Sequence, residues 1–207
     1  MDDFSYIKKQ LHNREIGILG SSQAMQSAVI VPLIYVDHQL SVLFEVRSKT
    51  LNKQPGEICF PGGKIDATDL NAEEAAKREL CEELGITHDH VEMVAPLDIL
   101  VTPFRGIIYP FVGRVNTTDF TNLNKDEVDH IFTVPLSFLE NYQPIRHKMR
   151  MKFEPSEDFP LEKIANKRSY SDRSSEFTET FYYYEQYVIW GLTARILTHF
   201  IDEIRKN

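Results

Sequence analysis

Three glutamates set close together carry the first suggestion of chemistry in this chain: Glu79, Glu82 and Glu83. On a helix they stand at i, i+3 and i+4 and share one face. Carboxylates so placed repel one another by roughly a few tenths of a kcal/mol per pair, even when exposed. A partner that offsets this cost is implied. A hard divalent cation such as Mg²⁺ or Mn²⁺ suits, because these ions prefer carboxylate and water oxygens and commonly bridge to phosphates. The plainer reading of the same residues is a solvated acidic face with Lys77 and Arg78 as its partners. Taken alone, the motif favours that reading.

The elements that must hold these residues can be read from the surrounding pattern. The spacing predicts a helix over 72–84, with Asn71 as its cap, Glu74 three residues on and Gly85 ending it. Ala72, Ala76, Leu80 and Leu84 form an apolar stripe beside the acidic face. Upstream, Pro61-Gly62-Gly63 breaks the chain after a short strand at 57–60. The apolar runs at 28–35 and 40–46 predict two strands joined by a hairpin turn at 36–39. Apolar stretches at 91–102 and 107–115 predict further strands. Residues 126–132 and 136–142 read as short helical pieces around Pro135. Residues 143–176 are polar, with 8 Lys/Arg against 5 Asp/Glu between Arg146 and Arg173, and read as a flexible insertion. An aromatic strand at 177–184 and an amphipathic helix at 188–205 close the chain, and a short helix is expected at 4–13. Mixed strands with helices before, between and after predict an α/β sandwich.

Composition sets the outer bounds. The 207 residues, 42% hydrophobic and 26% charged, suit one globular domain that needs no disulfide or metal staple. The net charge of −8 argues against a nucleic-acid-binding surface. Between Asp66 and Ile86 seven acids face two bases, so −5 of that charge is local to the glutamate segment. No apolar run reaches the roughly 18 residues of a membrane span, and Met1-Asp2-Asp3-Phe4 does not open a signal peptide. Cys59 and Cys81 form no CxxC pair and read as small buried residues of a reduced, cytoplasmic protein.

The run Arg78-Glu79-Leu80-Cys81-Glu82-Glu83-Leu84-Gly85-Ile86 behind Gly62-Gly63 resembles the Nudix box, G-x5-E-x7-R-E-U-x-E-E-x-G-U with U bulky and apolar. From Arg78 to Ile86 the match is complete. Upstream, Asp69 takes the place of the first glutamate, and eight residues rather than seven separate it from Arg78. That longer box is similar to the coenzyme A pyrophosphatase branch of the family. The branch also carries a flank like L-L-T-x-R-S-x-x-L-R-x-x-x-G-x-V-x-F-P-G-G-x-x-D. Arg47, Ser48, Leu51, Gly56, Phe60, Pro61, Gly62, Gly63 and Asp66 fall in place, whereas Asn52 replaces the second arginine, with Lys53 beside it. Asp126-Glu127-Val128 through Leu136 resembles the branch's D-E-V-x-x-x-F-x-V-P-L, and Trp190-Gly191-Leu192-Thr193-Ala194 its W-G-x-T-A.

The resemblance implies a single Nudix-type α/β/α sandwich over 1–207 with a mixed sheet and a C-terminal helix, its box at about 62–86. It implies water attack on a diphosphate linkage, assisted by Mg²⁺ or Mn²⁺, most specifically cleavage of coenzyme A or its thioesters. Glu79, Glu82 and Glu83 become the metal ligands, with Gly63 beside them. Arg78 becomes an orienter of glutamates, and Glu127 a later-loop acid acting as ligand or base. Arg47, Lys53, Gly62 and Gly63 become substrate contacts. Asp69 reaches Arg78 or caps the helix; both readings stand. Trp190 and the aromatics at 181–184 read as core. A small nucleotide-derived molecule is the expected partner, with no nucleic acid or membrane and with a homodimer left open. Two alternatives remain: hydrolysis of ADP-ribose or another nucleoside diphosphate derivative, and a non-catalytic nucleotide-sensing module.

Overall fold

The protein is described from a computed structural model, which covers residues 3–103, 106–165 and 174–206. In chain order the elements are α1 (Asp3–Leu11), β1 (Gln26–Val36), β2 (Gln39–Arg47), β3 (Ile58–Cys59), β4 (Gly62–Lys64) and α2 (Ala72–Leu84). There follow β5 (Val91–Pro96), β6 (Leu100–Thr102), β7 (Gly106–Val115), β8 (Val128–Pro135) and α3 (Leu136–Asn141). The chain ends in β9 (Ile145–Lys152), β10 (Ser174–Tyr184), β11 (Tyr187–Ile189) and α4 (Gly191–Ile204).

The hairpin β1–β2 turns at Asp37 and His38, both with positive φ (49° and 63°). Such a two-residue turn matches the twist of the flanking strands. β1 and β2 are the centre of a mixed sheet ordered β3-β2-β1-β7-β5, with β4 on β1, β6 on β7 and β8 on β2. β1 and β7 run parallel from Gln26↔Ile107 to Leu33↔Arg114, and the other pairs are antiparallel.

Side chains alternate across this sheet. Ala28, Ile30, Ile34, Leu43, Phe111 and Val115 pack against Ala75, Ala76, Leu80 and Leu84 of α2. Val31, Val42, Phe44, Val112 and Val134 pack against Ala194, Leu197, Phe200 and Ile201 of α4. A sheet buried on both faces by helices is the expected α/β/α sandwich. Among the described residues no helix is long and apolar enough to cross a membrane.

Several expectations are corrected by the structure, and one is refined. Residues 128–132 are strand, not helix: Val128, Phe132 and Val134 are buried, and β8 pairs with β2 from Ser41↔Pro135 to Arg47↔Val128. The apolar stretch 91–102 is two strands, β5 and β6, which pair with different parts of β7. The polar region 143–176 contains β9, paired along its whole length with β10. Its polarity follows from exposure, since almost every β9 residue faces solvent; residues 166–173 of that region lie outside the described residues. Trp190 is 42% exposed rather than core and stacks on Phe181 at 5.8 Å between ring centroids. Of the neighbouring aromatics, Tyr182 is buried and Tyr183 exposed. Cys81 is buried, Cys59 only half-buried, and both are free thiols.

Candidate active site

The site grows from α2. Asn71 Oδ1 accepts the Glu74 amide at 2.9 Å and starts the helix; Gly85, at φ 65°, closes it in the left-handed region, where a side chain is strained. The three glutamates share a face but not an environment. Glu83 turns toward the sheet and is 4% exposed. Glu79 is half-buried, and the side chain of Glu82 is 56% exposed. The carboxylate of Glu83 accepts the Gly62 amide at 2.8 Å, so the glycine loop fixes the innermost acid. Gly63 lies flat against Glu79: a Cβ there would fall 2.4 Å from Glu79 Cδ. Only a residue without a side chain lets that strand and that acid approach so closely.

Arg78 joins the acids into one unit. Its Nε and Nη2 donate to the two carboxylate oxygens of Asp69 at 2.9 and 3.0 Å. Its Nη1 donates to Glu79 at 2.9 Å and Glu82 at 3.2 Å, and Nη2 also reaches the Lys64 carbonyl at 3.4 Å. A planar guanidinium is suited to such a bidentate grip. Asp69 thus meets Arg78 rather than the helix end, and its other bond accepts the Asp66 amide at 2.8 Å. The hydrogen bond from Arg78 holds the Asp69 carboxyl below the usual carboxylate range.

The strand β2 supplies the opposite wall. Leu43 packs with α2, and alternation along β2 puts Glu45 on the same face; the register with β8 shifts between Val46 and Arg47. Glu45 is 1% exposed. One of its oxygens accepts the Cys59 thiol at 3.1 Å, and Cys59 is its cross-strand neighbour on β3. Burial pushes Glu45 up to about 7, against the pull of the Cys59 hydrogen bond and the Arg47 charge. Burial also raises Glu83 well above the usual range, and the negative charge of Glu45 raises it further. Glu79 is raised as well, chiefly by burial and against its hydrogen bond from Arg78. Glu45 was missed by motif reading; its signal is an acid in the middle of an otherwise apolar strand.

Glu127 is exposed on the turn before β8, but its position is fixed. Its carbonyl accepts the Ser48 amide at 2.8 Å, and Asn124 in the same turn donates its amide to the Glu83 carbonyl at 3.0 Å. The turn therefore ties the end of α2 to the end of β2. Arg47 is half-buried, and its Nε has no hydrogen-bond partner. Lys53 lies exposed on the 48–56 loop.

These residues fit a hard divalent cation. The donors are carboxylate oxygens from several elements, and three of them are held in the charged-disfavouring conditions of burial and mutual repulsion. Among the described residues, the group of three acids and histidines whose ligand atoms all lie within 4.8 Å of one another is Asp98, His199 and Glu203, away from α2. There the Asp98 amide donates to His199 Nε2 at 3.2 Å, while Nδ1 faces Glu203 at 3.7 Å. Nε2 is taken by the Asp98 amide and Glu203 is paired with Lys206, so this group reads as a tether for α4.

A groove of about 720 Å³ runs between β10 and the start of α4, lined by Met151, Phe153, Phe177, Leu192 and Arg195 and bounded by Thr102 and Pro103. The strand registers place Leu100, Ile108, Ser27 and Lys64 in one row. The groove's β6 wall is therefore three strand spacings, about 14 Å, from the glycine strand β4.

Comparison with known proteins follows the same lines. A family model for the NUDIX domain matches residues 24–181. The chain is 36% identical over 132 residues to the peroxisomal coenzyme A diphosphatase of Mus musculus, covering 63% of this chain and 56% of that protein. It is 38% identical over 125 residues to a peroxisomal coenzyme A diphosphatase of Caenorhabditis elegans, covering 58% and 53%. The chain thus spans little more than half the length of these relatives. It is 29% identical over 188 residues to the uncharacterized Nudix hydrolase NudL of Photorhabdus laumondii, covering 89% and 88%. Among solved structures, an Ap4A hydrolase of C. elegans is similar with a TM-score of 0.46 at 19% identity, over 55% of this chain and 81% of that one. With the NUDIX model matching well over half its length, and the box residues gathered on α2 against the glycine loop, the chain belongs to the Nudix hydrolase family.

Proposed function

We propose that the protein is a divalent-cation-dependent diphosphatase that cleaves coenzyme A or its thioesters into 3′,5′-ADP and 4′-phosphopantetheine or its acyl derivative. The observation that carries the reaction type is Glu83: a helix carboxylate buried beside Glu79 and fixed by the Gly62 amide. A protein of net charge −8 does not attract a polyanion by itself. Glu79, Glu82 and Glu83 would hold Mg²⁺ or Mn²⁺ next to the backbone of Gly63. A cation in that seat supplies countercharge to the diphosphate oxygens and polarises phosphorus toward attack by water.

The chain's own residues divide the remaining work. Arg78, anchored on Asp69, holds Glu79 and Glu82 through one nitrogen, Nη1. Glu127, on the turn that is tied to Ser48, is one candidate to take the proton of the attacking water. Glu79 is the other candidate for that role. Arg47 and Lys53 offer positive charge for the phosphates, and the amides of the Gly62-Gly63 loop line their approach.

The substrate reading is supported by the Arg47–Asp66 flank and by two relatives whose names are coenzyme A diphosphatase. The apolar groove, with Arg195 on its wall, suits a long arm with an uncharged body. The test is a substrate panel. Purified protein is incubated with coenzyme A, an acyl-coenzyme A and ADP-ribose, each with Mg²⁺, Mn²⁺ or excess chelator, and the products are separated by chromatography. Metal-dependent release of 3′,5′-ADP is expected. Turnover of ADP-ribose without turnover of coenzyme A or its thioesters overturns the substrate assignment.

A further inference from the structure

The small sheet β11-β10-β9 has two unlike faces. Residues directly opposite one another on paired strands share a face. Tyr182 and Ile189 are such a pair, and both are buried in the core. The other face carries the pairs Tyr183↔Val188, Phe181↔Ile145, Glu179↔His147 and Phe177↔Met149. Trp190, stacked on Phe181, extends it. Apart from His147 and Glu179 this face is apolar, yet Val188, Tyr183, Ile145 and Met149 are 39–48% exposed. With Trp190 they leave roughly 400 Å² of apolar surface in one patch, the size at which such a patch commonly serves a contact. A standard interface takes about 800 Å² from each partner, about six-tenths of it apolar. The patch supplies most of that apolar share for one side.

The registers say which partner fits. In three successive rows β9 offers Ile145, His147 and Met149, while β10 offers Phe181, Glu179 and Phe177. Consider a two-fold axis that runs parallel to the strands, midway between β9 and β10. It lays β9 of one copy over β10 of the other and keeps every row in place. Ile145 then meets the partner's Phe181, His147 the partner's Glu179, and Met149 the partner's Phe177, each twice over. At the centre an imidazole N–H meets a carboxylate, and on either side an aliphatic chain meets an aromatic ring. The face is therefore its own complement, as a two-fold contact requires. His147 is held in place for this by edge-on packing against Phe181 at 5.2 Å between ring centroids. Arg146, Lys148, Arg150 and Lys152 alternate to the opposite side of β9 and stay out of the contact.

We propose that the protein dimerises in solution by packing the outer faces of two β11-β10-β9 sheets about this axis. Phe177 also lines the groove beside α4, so the second copy would border that groove.

The experiment is sedimentation equilibrium of the whole chain from low to high micromolar concentration, in wild type, His147→Glu and Glu179→Lys, with circular dichroism as a check on the fold. Wild type should be a dimer. His147→Glu sets a second carboxylate against the partner's Glu179, and Glu179→Lys sets an ammonium against the partner's His147. Each variant alone should associate at least about 10-fold more weakly than wild type. An equal mixture of the two should dimerise again, because each mixed pair then joins a carboxylate to lysine at one contact and to histidine at the other. Repair within a single chain cannot produce that result. A monomeric wild type overturns the proposal. So do variants that associate as wild type does, which would place the contact elsewhere, and a mixture no tighter than its components, which would refute the axis.

Discussion

Arg78 is the residue through which the acids of the site communicate. It holds Asp69, Glu79 and Glu82 at once, and a point charge cannot reproduce that fork. Arg78→Lys should therefore lower kcat/KM by about 10–100-fold, the usual cost of losing a residue that orients metal ligands. Steady-state kinetics on coenzyme A would show it, and an undiminished rate would mean the grip is dispensable. Glu83→Gln should abolish turnover while circular dichroism stays native, because it keeps the buried volume and a Gly62 acceptor but removes the charge. The Asp69–Arg78 pair has its own pH signature. The folded Asp69 carboxyl is held below its ordinary value, so the unfolded chain binds its proton first as pH falls. The stabilisation is present above the ordinary aspartate range and disappears as pH falls through the lower folded value. Melting curves of Asp69→Asn and wild type should differ at neutral pH and converge in acid.

At the scale of elements, the helix α2 and the β4 loop act as one device. Gly63→Ala should displace the Glu79 carboxyl, because the added Cβ has nowhere else to go. A lower affinity for Mn²⁺ with an intact fold would be the mark of that displacement. Asn71→Ala removes the cap of α2 and should cost about 1 kcal/mol, or a few degrees in Tm. These elements were legible from sequence because their signals are local: a cap, a glycine stop, an apolar stripe and three acids at helical spacing. Others were not. The facing of Glu45 depends on which layer α2 covers, and no window of β2 contains that information. Val128–Pro135 carries a polar Asp129-His130 pair that obscures its alternation, and pairing with β2 decides the outcome. The strand β9 has no apolar face toward the sandwich, so hydrophobic periodicity cannot reveal it. Trp190 was misplaced because size and apolarity suggest the core, whereas stacking on Phe181 satisfies it at the surface.

For the whole molecule, the uneven charge matters more than its sum. Seven acids and two bases lie between Asp66 and Ile86, so −5 of the net −8 falls in that one segment. Excess chelator should stop turnover completely, and added Mn²⁺ should raise Tm of the metal-free protein by filling the seat. A melting curve indifferent to Mn²⁺ would count against the seat as drawn.

The polar strand β9 has a different consequence for the molecule in solution. It is the outer member of the sheet β11-β10-β9, and an outer strand is open to pairing with another chain. Along one side it presents Arg146, Lys148, Arg150 and Lys152, with Glu176 of β10 paired to the middle two. A second copy docking edge to edge would bring two such rows of cations together. The rows act as a guard against strand-to-strand aggregation, one whose strength falls as salt screens it. Replacing Lys148 and Arg150 by threonine should leave the fold intact and make the protein prone to precipitate, as turbidity on concentration would reveal.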